Sequence, residues 1–500
     1  MTAPLLLAID QGTTSTRAVV YDAAGRARGS AARELTQFYP QPGWVEHDAE
    51  EIAASVADVV PKALAAAGAE GRQVAAVGLT NQRETAVLWD RATGKPAARA
   101  VVWQDRRTTD FCRSHQADQP WLHERTGLVL DPYFTATKFR WLLEQDPSLR
   151  EAADRGDLAG GTVDSFLIHR LTGGRSHVTD ETNASRTLLL NVHTGAWDDE
   201  LCRYFAVPRK ILPEVKPSAA DFGRTQGLGY LPDGLPVAGV AGDQQAALFG
   251  QCAFAPGEAK CTYGTGAFFL LHTGGRPVDS RHQLLTTLAA RTGGGGLQYA
   301  LEGSVFVAGA AVQWLRDGLK LFGSAEQIEG LAHQSDPEQP VLFVPGFVGL
   351  GAPHWVPEAR GVLFGLTRST SAAELSRATL EGVAFQVADL IDAARHDAGT
   401  PLAALRVDGG MARNDWFLQC QADVLGLPVV RAGQSESTAL GAAFLAGLQA
   451  GVWKSTDDLR RLTAEAKTFT PRLDETERSL RVARWRRAVK AVIGFYTGQE

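Results

Sequence analysis

Four polar loops follow apolar segments in this chain, and their residue types suit phosphate and a divalent cation. They are residues 10–16 (Asp-Gln-Gly-Thr-Thr-Ser-Thr), 81–84 (Asn-Gln-Arg-Glu), 242–245 (Gly-Asp-Gln-Gln) and 408–414 (Asp-Gly-Gly-Met-Ala-Arg-Asn). A fifth, 263–266 (Tyr-Gly-Thr-Gly), lies between two apolar runs. Glycine lets backbone N–H groups converge on phosphate oxygens. Thr and Ser hydroxyls add donors, and an aspartate holds Mg²⁺ directly or through its waters. Singly, a Gly-Thr-Gly or Asp-Gly-Gly is an ordinary turn. Several of them at strand ends in one chain point to a phosphate ligand, because open α/β sheets bind ligands at strand ends. Other signatures are missing. Gly94-Lys95 is followed by Pro96, which rules out a Walker loop, and no G-x-G-x-x-G after a strand, H-E-x-x-H or G-x-S-x-G occurs.

The elements that must carry these loops alternate between strand and helix patterns. Residues 5–9 and 17–21 read as strands around the first loop, closed by the turn 22–25. Residues 48–68 read as a helix with Asp48 as cap, Glu51 three residues on, and Ile52, Val56, Val59 and Ala63 on one face. Pro61 is expected to kink it. Strands are expected at 74–80, 235–240 and 402–407, and Ser371 with Glu374 reads as a capping box opening a helix to about residue 398. Residues 260–271 read as strand, Gly-Thr-Gly loop, strand, which echoes the N-terminal hairpin. The expected fold is therefore α/β with two similarly built halves, residues 1–247 and 248–500.

Composition narrows the class further. Five hundred residues are too many for one core. A hydrophobic fraction of 44%, a charged fraction of 21% and a net charge of -6 read as a soluble globular chain. The acidic balance disfavours nucleic acid as a partner. Cysteines 112, 202, 252, 261 and 420 are widely spaced with no C-x-x-C, so they are expected as reduced, mostly buried thiols. The N-terminus lacks a basic region and a cleavage site, and no apolar run reaches a membrane span, so a cytoplasmic location without membrane insertion is expected.

Longer motifs carry a resemblance. The run Asp10-Gln-Gly-Thr-Thr-Ser15-Thr-Arg17 resembles the first phosphate loop of the FGGY carbohydrate kinases. So do Pro42-Gly-Trp-Val-Glu46-His-Asp48, Thr80-Asn-Gln-Arg83-Glu84-Thr85, Val102-Trp103-Gln104 and Gly127-Leu-Val-Leu-Asp131-Pro-Tyr133-Phe. Val178-Thr-Asp-Glu-Thr-Asn-Ala-Ser185-Arg and Gly242-Asp243-Gln-Gln-Ala-Ala-Leu-Phe-Gly250 continue the series. The second half adds Tyr263-Gly-Thr265-Gly, Gln313-Trp-Leu-Arg316-Asp317, Arg360-Gly-Val-Leu-Phe-Gly365-Leu-Thr and Val407-Asp-Gly-Gly410. The family implies a duplicated two-domain fold of the actin, hexokinase and Hsp70 type (ribonuclease H-like), with ATP and substrate in the interdomain cleft.

Carried over by position, the resemblance implies phosphorylation of glycerol by ATP with Mg²⁺. Arg83, Glu84, Tyr133 and Asp243 are then glycerol contacts, and Gln244, Trp103 and Phe268 complete the pocket. Carboxylate and guanidinium suit vicinal hydroxyls, and aromatic rings suit the C–H edge. Asp243 is the expected catalytic base, in a loose transition state where positioning outweighs base strength. Asp10, with Asp243, is expected to hold Mg²⁺. Thr13, Thr14, Ser15 and Arg17 are expected at the phosphates, Thr265 in the second phosphate loop, and Gly309, Gln313, Gly410 and Asn414 at the nucleotide. Without the resemblance, Arg83-Glu84 reads as an exposed ion pair of little worth, Asp243 as a helix N-cap, and Gln313 as a surface residue.

The resemblance also implies a homodimer or homotetramer and closure of the domains over ATP. Residues 225–235 depart from the pattern of relatives controlled by fructose 1,6-bisphosphate, having no Arg or Lys and one Asp, so that inhibition is expected to be absent. No histidine lies between Thr194 and His272, so activation by histidine phosphorylation is expected to be absent too. The alternatives are a family member acting on a larger polyol or ketose such as xylulose, and a non-enzyme using the same nucleotide clamp.

Overall fold

The computed structural model describes residues 4–433, 436–463 and 466–498. Strand β1 (Leu5–Gln11) is apolar until Asp10, and β2 (Ser15–Tyr21) returns antiparallel beside it, with Asp10 opposite Arg17. β3 (Ala27–Glu34) continues the antiparallel run. β4 (Val74–Asn81) and β5 (Val237–Gly242) lie parallel to β1, which gives the order β5-β4-β1-β2-β3. The central strands are buried on both faces and are accordingly rich in Val, Leu and Ala.

The second sheet holds β6 (Ala259–Tyr263), β7 (Ala267–Gly274), β8 (Leu285–Leu288), β9 (Tyr299–Val305), β10 (Leu405–Asp408), β11 (Val429–Ala432) and β12 (Ala466–Phe469). Its order is β8-β9-β7-β6-β10-β11-β12. β6 pairs antiparallel with β7 and β7 with β9, while β10 and β11 run parallel to β6. Removing the edge strands β8 and β12 leaves the order and directions of the first sheet. The echo between the two hairpins is thus a duplicated topology, as the sequence led us to expect.

Helices cover both sheets. α1 (Ala49–Ala66) buries Ile52, Val56, Val59 and Ala63 against the first sheet and runs on through Pro61. Asp48 caps it by accepting the Glu50 N–H. Glu51 closes no capping box; its carboxylate accepts from the N–H and hydroxyl of Thr36 at 3.1 and 3.0 Å. α2 (Asp243–Gly250) follows β5, α3 (Gly309–Gln313) follows β9, and α4 (Ala372–Ala398) starts from Ser371 and Glu374, which do form a box. α5 (Asp415–Leu425) and α6 (Ser437–Gln449) flank β11.

α6 belongs by sequence to the second half yet packs on α2 and on the first sheet. Leu440 and Phe444 share a buried cluster there with Leu6, Ala8, Ala76 and Phe249. Residue 247 lies inside α2, and no linker separates the halves at that point. Cysteines 112, 202, 252 and 261 are buried and Cys420 half-buried, all as free thiols. Among the described residues no helix is long and apolar enough to cross a membrane.

Candidate active site

Register places the first-half loops on one sheet edge. Asp10 pairs with Thr80 and Thr80 with Ala241, so the next residues along β1, β4 and β5 all leave the sheet at one level. Loop 12–14, residues 82–85 and Asp243 emerge there. Gln82 ties two of these loops together, its N–H donating to the Gln11 carbonyl at 2.7 Å and its amide to Gln11 Oε1 at 3.1 Å. Trp103 reaches the same edge; its Nε1 donates to Thr13 Oγ1 at 2.8 Å, and its ring stands edge-on to Tyr133 at 5.6 Å.

Arg83 and Glu84 are not the exposed pair that spacing alone suggests, since both side chains are only 2% exposed. Arg83 donates from both ends of its fork to Glu302, at 2.6 and 2.8 Å, and from Nη1 to Gln245 Oε1 at 3.2 Å. Its Nε lies 3.1 Å from Asp243 Oδ1. Glu84 accepts from Arg186 Nε at 2.5 Å. Burial pushes the Glu84 carboxyl up, opposed by Arg186 and Arg83. Burial also acts on Glu302, but Arg186 and Arg83 outweigh it and hold this carboxyl at about 2. Glu84 has a positive φ of 60°, a costly conformation for a non-glycine residue. Its carbonyl is fixed by Lys138 Nζ at 3.0 Å and Thr135 Oγ1 at 3.1 Å, and Lys138 Nζ also reaches the Tyr133 carbonyl. Burial lowers this ammonium to about 7.

Asp243 is the first residue of α2, with Gly242 in the cap position, so the N-cap reading of Asp243 is off by one. Its Oδ1 accepts from the Gln244 N–H at 2.7 Å and is ion-paired with Arg83, and its Oδ2 takes no hydrogen bond among the described residues. Asp10 faces it closely enough to matter. Burial and then the Asp243 charge push the Asp10 carboxyl up to about 7. Two carboxylates that repel in this way are the donor set a divalent cation relieves. Arg17, expected at a phosphate, is ion-paired with Glu436 of the second half. Gln244 accepts from Lys260 Nζ, which also donates to Thr262 Oγ1 at 2.9 Å and the Phe268 carbonyl at 3.3 Å.

Three second-half loops meet at the matching edge of the second sheet. The Gly309 N–H donates to the Gly264 carbonyl at 3.0 Å, and the N–H groups of Ala308 and Ala310 donate to the Thr265 carbonyl at 2.9 and 3.0 Å. Gly409, with a φ of 89°, sits so close to Tyr263 that a Cβ would lie 2.4 Å from its carbonyl oxygen. Gly410 differs, because a Cβ there meets nothing within 4 Å. Asn414 spends its Oδ1 capping α5 at the Phe417 N–H, 2.8 Å away, and Gln313 ends α3 with its side chain exposed.

The structure therefore gathers Arg83, Glu84, Tyr133, Trp103, Thr13, Asp10, Asp243 and Gln244 at one sheet edge, with Thr14 and Ser15 in the same loop as Thr13. Phe268 joins Gln244 through Lys260. Sequence reasoning passed over Arg186, Glu302, Lys138 and Lys260. Arg186 ends a motif quoted for the resemblance, and Glu302 is the one charged residue in strand Tyr299–Val305. An acid in a buried strand was the available signal.

Known proteins share the sequence and the fold of this chain. The models of the FGGY family of carbohydrate kinases match residues 5–250 with the N-terminal domain and 259–450 with the C-terminal domain. A glycerol kinase of Deinococcus radiodurans is 53% identical over 97% of this chain and 96% of its own. One of Myxococcus xanthus is 51% identical over 98% and 99%. Among solved structures, Plasmodium falciparum glycerol kinase with ADP superposes with a TM-score of 0.93 at 35% identity, covering 98% of each chain. Two matched domains and full-length relatives of this identity establish that the chain belongs to the FGGY family of carbohydrate kinases.

Proposed function

We propose that this chain phosphorylates glycerol, passing the γ-phosphoryl group of ATP to a terminal hydroxyl to give sn-glycerol 3-phosphate and ADP. The observation that carries the reading is the cluster of Arg83, Glu84 and Asp243, walled by Trp103 and Tyr133, in a chain half identical to proteins named glycerol kinase. Glu84 accepts from vicinal hydroxyls, and the aromatic pair covers the carbon edge. Asp243, whose Oδ2 is uncommitted, takes the proton of the attacking hydroxyl. Loop 12–15 and Thr265 supply donors to the phosphates. Arg17 reaches a phosphate by giving up Glu436, and Gly309, Gln313, Gly410 and Asn414 face the nucleoside.

Asp10 and Asp243 are the residues that would hold Mg²⁺, which when bound neutralises charge on the β- and γ-phosphates. A homodimer or homotetramer, carried over from the family, and a cytoplasmic location complete the proposal. A larger sugar is the second reading. Gluconate and xylulose kinases share the fold with TM-scores of 0.88 and 0.87, but at 21% identity they bear on fold alone. ADP release with glycerol, xylulose and gluconate as separate acceptors decides between them. Release that ignores glycerol, or is faster with a ketose, overturns the proposal.

Gly410 gives an independent test of the nucleotide side. Gly410→Leu is expected to weaken ATP binding about 10-fold by filling space the adenosine needs. The melting temperature of the free protein is expected to change little, because the Cβ position opens on space free within 4 Å. Titration calorimetry with an ATP analogue reads the first effect and thermal melting the second. An unchanged affinity removes Gly410 from the nucleotide site.

A further inference from the structure

We infer that Arg186 and Glu302 are the positioning residues of the polyol pocket, and that Glu302 makes this pocket a joint product of the two halves. Four buried charges alternate in a closed ring. Arg83 forks onto Glu302 at 2.6 and 2.8 Å, and Glu302 Oε1 lies 3.3 Å from Arg186 Nη2. Arg186 Nε donates to Glu84 at 2.5 Å, and Glu84 stands 3.9 Å from Arg83 Nε. The Arg186 side chain is fully buried, with its guanidinium 5.3 Å from the Tyr133 ring and 5.2 Å from that of Phe134.

No member of the ring could stay charged at this depth alone, because desolvation outweighs any single imperfect pairing. Together the two cations and two anions compensate one another. The shape of the compensation matters as much as its sign. A guanidinium is a rigid planar fork, so a carboxylate that takes both prongs fixes its plane. Glu302 therefore sets where Arg83 Nε points, and Nε is the atom that holds Asp243. Arg186 holds the carboxylate of Glu84 at one point, through its Nε–H, while its own place is set by burial against Tyr133 and Phe134 and by the nearby charge of Glu302. Neither Arg186 nor Glu302 need touch the polyol to decide how well it is held.

The ring also crosses the molecule. Arg83, Glu84 and Arg186 come from the first half, whereas Glu302 lies on β9 of the second sheet, opposite Leu270 of β7 and Leu285 of β8. Moving the halves apart withdraws Glu302 and releases the fork of Arg83. The polyol pocket is then complete only while the halves are in contact. This gives the second half a say in polyol recognition without a direct contact.

The inference rests on reading Arg83 and Glu84 as polyol contacts, and the test keeps the two claims separate. Glu302→Asp keeps the charge but pulls the carboxylate back, so the fork is met at one prong. It is expected to raise the KM for glycerol about 10-fold, and Glu302→Gln to lower kcat/KM for glycerol about 100-fold. Arg186→Lys, which keeps a charge without a fork, is expected to fall between them. In all three the Kd for an ATP analogue changes less than about 2-fold, whereas a merely structural fault would move both ligands. The double variant Glu302→Gln with Arg186→Met leaves one cation facing one anion and covers the case in which Glu302→Gln alone does not fold. A folded Glu302→Asp or double variant with the parent's glycerol KM and kcat overturns the inference. A parent enzyme with no glycerol-dependent ADP release would instead overturn the proposed function.

Discussion

Asp243→Asn is expected to lower kcat for glycerol phosphorylation by about 10²–10³-fold while leaving the fold in place. Asp243 Oδ1 is already committed to the Arg83 Nε and the Gln244 N–H, so only Oδ2 is left for a substrate hydroxyl. In the variant the amide oxygen takes the Oδ1 position, because two donors face it. The –NH₂ then occupies the place of Oδ2 and presents a donor where the hydroxyl needs an acceptor. The hydroxyl still sits in the pocket, held by Glu84, so KM changes less than kcat. The loose transition state of phosphoryl transfer keeps the loss toward the lower end of what a general base supplies. Stability falls by about 2 kcal/mol at most, since Arg83 keeps both bonds to Glu302. Steady-state ADP release and a single-turnover measurement separate chemistry from product release. A variant within five-fold of the parent, roughly 1 kcal/mol, would remove Asp243 from the base role.

Much of this arrangement is written in short-range patterns. Leu5–Gln11 and Ala259–Tyr263 each end in a polar glycine-bearing loop, and that local punctuation announces two hairpins of one design. The capping box at Ser371 needs only residues three apart, and it is present. Glu51 has the same spacing from Asp48, yet its carboxylate goes to Thr36, fifteen residues away, because β3 brings that donor within reach. What sequence could not supply is pairing at long range. Arg83 and Glu302 are 219 positions apart and Arg17 and Glu436 are 419 apart. Nothing local marks Glu302 as a partner except that a charge sits in an apolar strand. Lys138 and Lys260 are hidden in a related way: each is a buried ammonium that, besides nearer acceptors, reaches a group on another element, the Glu84 carbonyl or the Gln244 amide. The residues proposed to meet the substrate were legible through motif, and the residues that hold them in place were legible only in three dimensions.

The largest structural effect is expected at the crossing of α2 and α6, where Gly441→Ala should lower stability by about 3 kcal/mol and the melting temperature by about 3 °C. A Cβ on Gly441 would lie 1.9 Å from the Ala246 carbonyl oxygen, and one on Gly250 would lie 2.0 Å from that of Ser437. Both obstacles are backbone, so no rotamer change relieves them and the helices must part. Alanine favours a helix over glycine by about 1 kcal/mol, which is too little to offset such a clash. The helices are not free to part either. Gly78 of β4 and Gly239 of β5 are nested against α6, with a Cβ falling 2.2 Å from the Ala442 carbonyl oxygen and 2.4 Å from the Ala446 nitrogen. Displacement at the crossing therefore reaches β5, whose end delivers Asp243 as the first residue of α2. A misplacement of about 1 Å at a reacting group costs on the order of 100-fold in rate, so activity falls further than stability alone would carry it. Gly410→Ala is the control, since its Cβ meets nothing and its melting curve should overlay the parent's. A Gly441→Ala protein that melts and turns over like the parent would mean that the two helices separate at little cost, and that this close backbone contact is not what fixes Asp243.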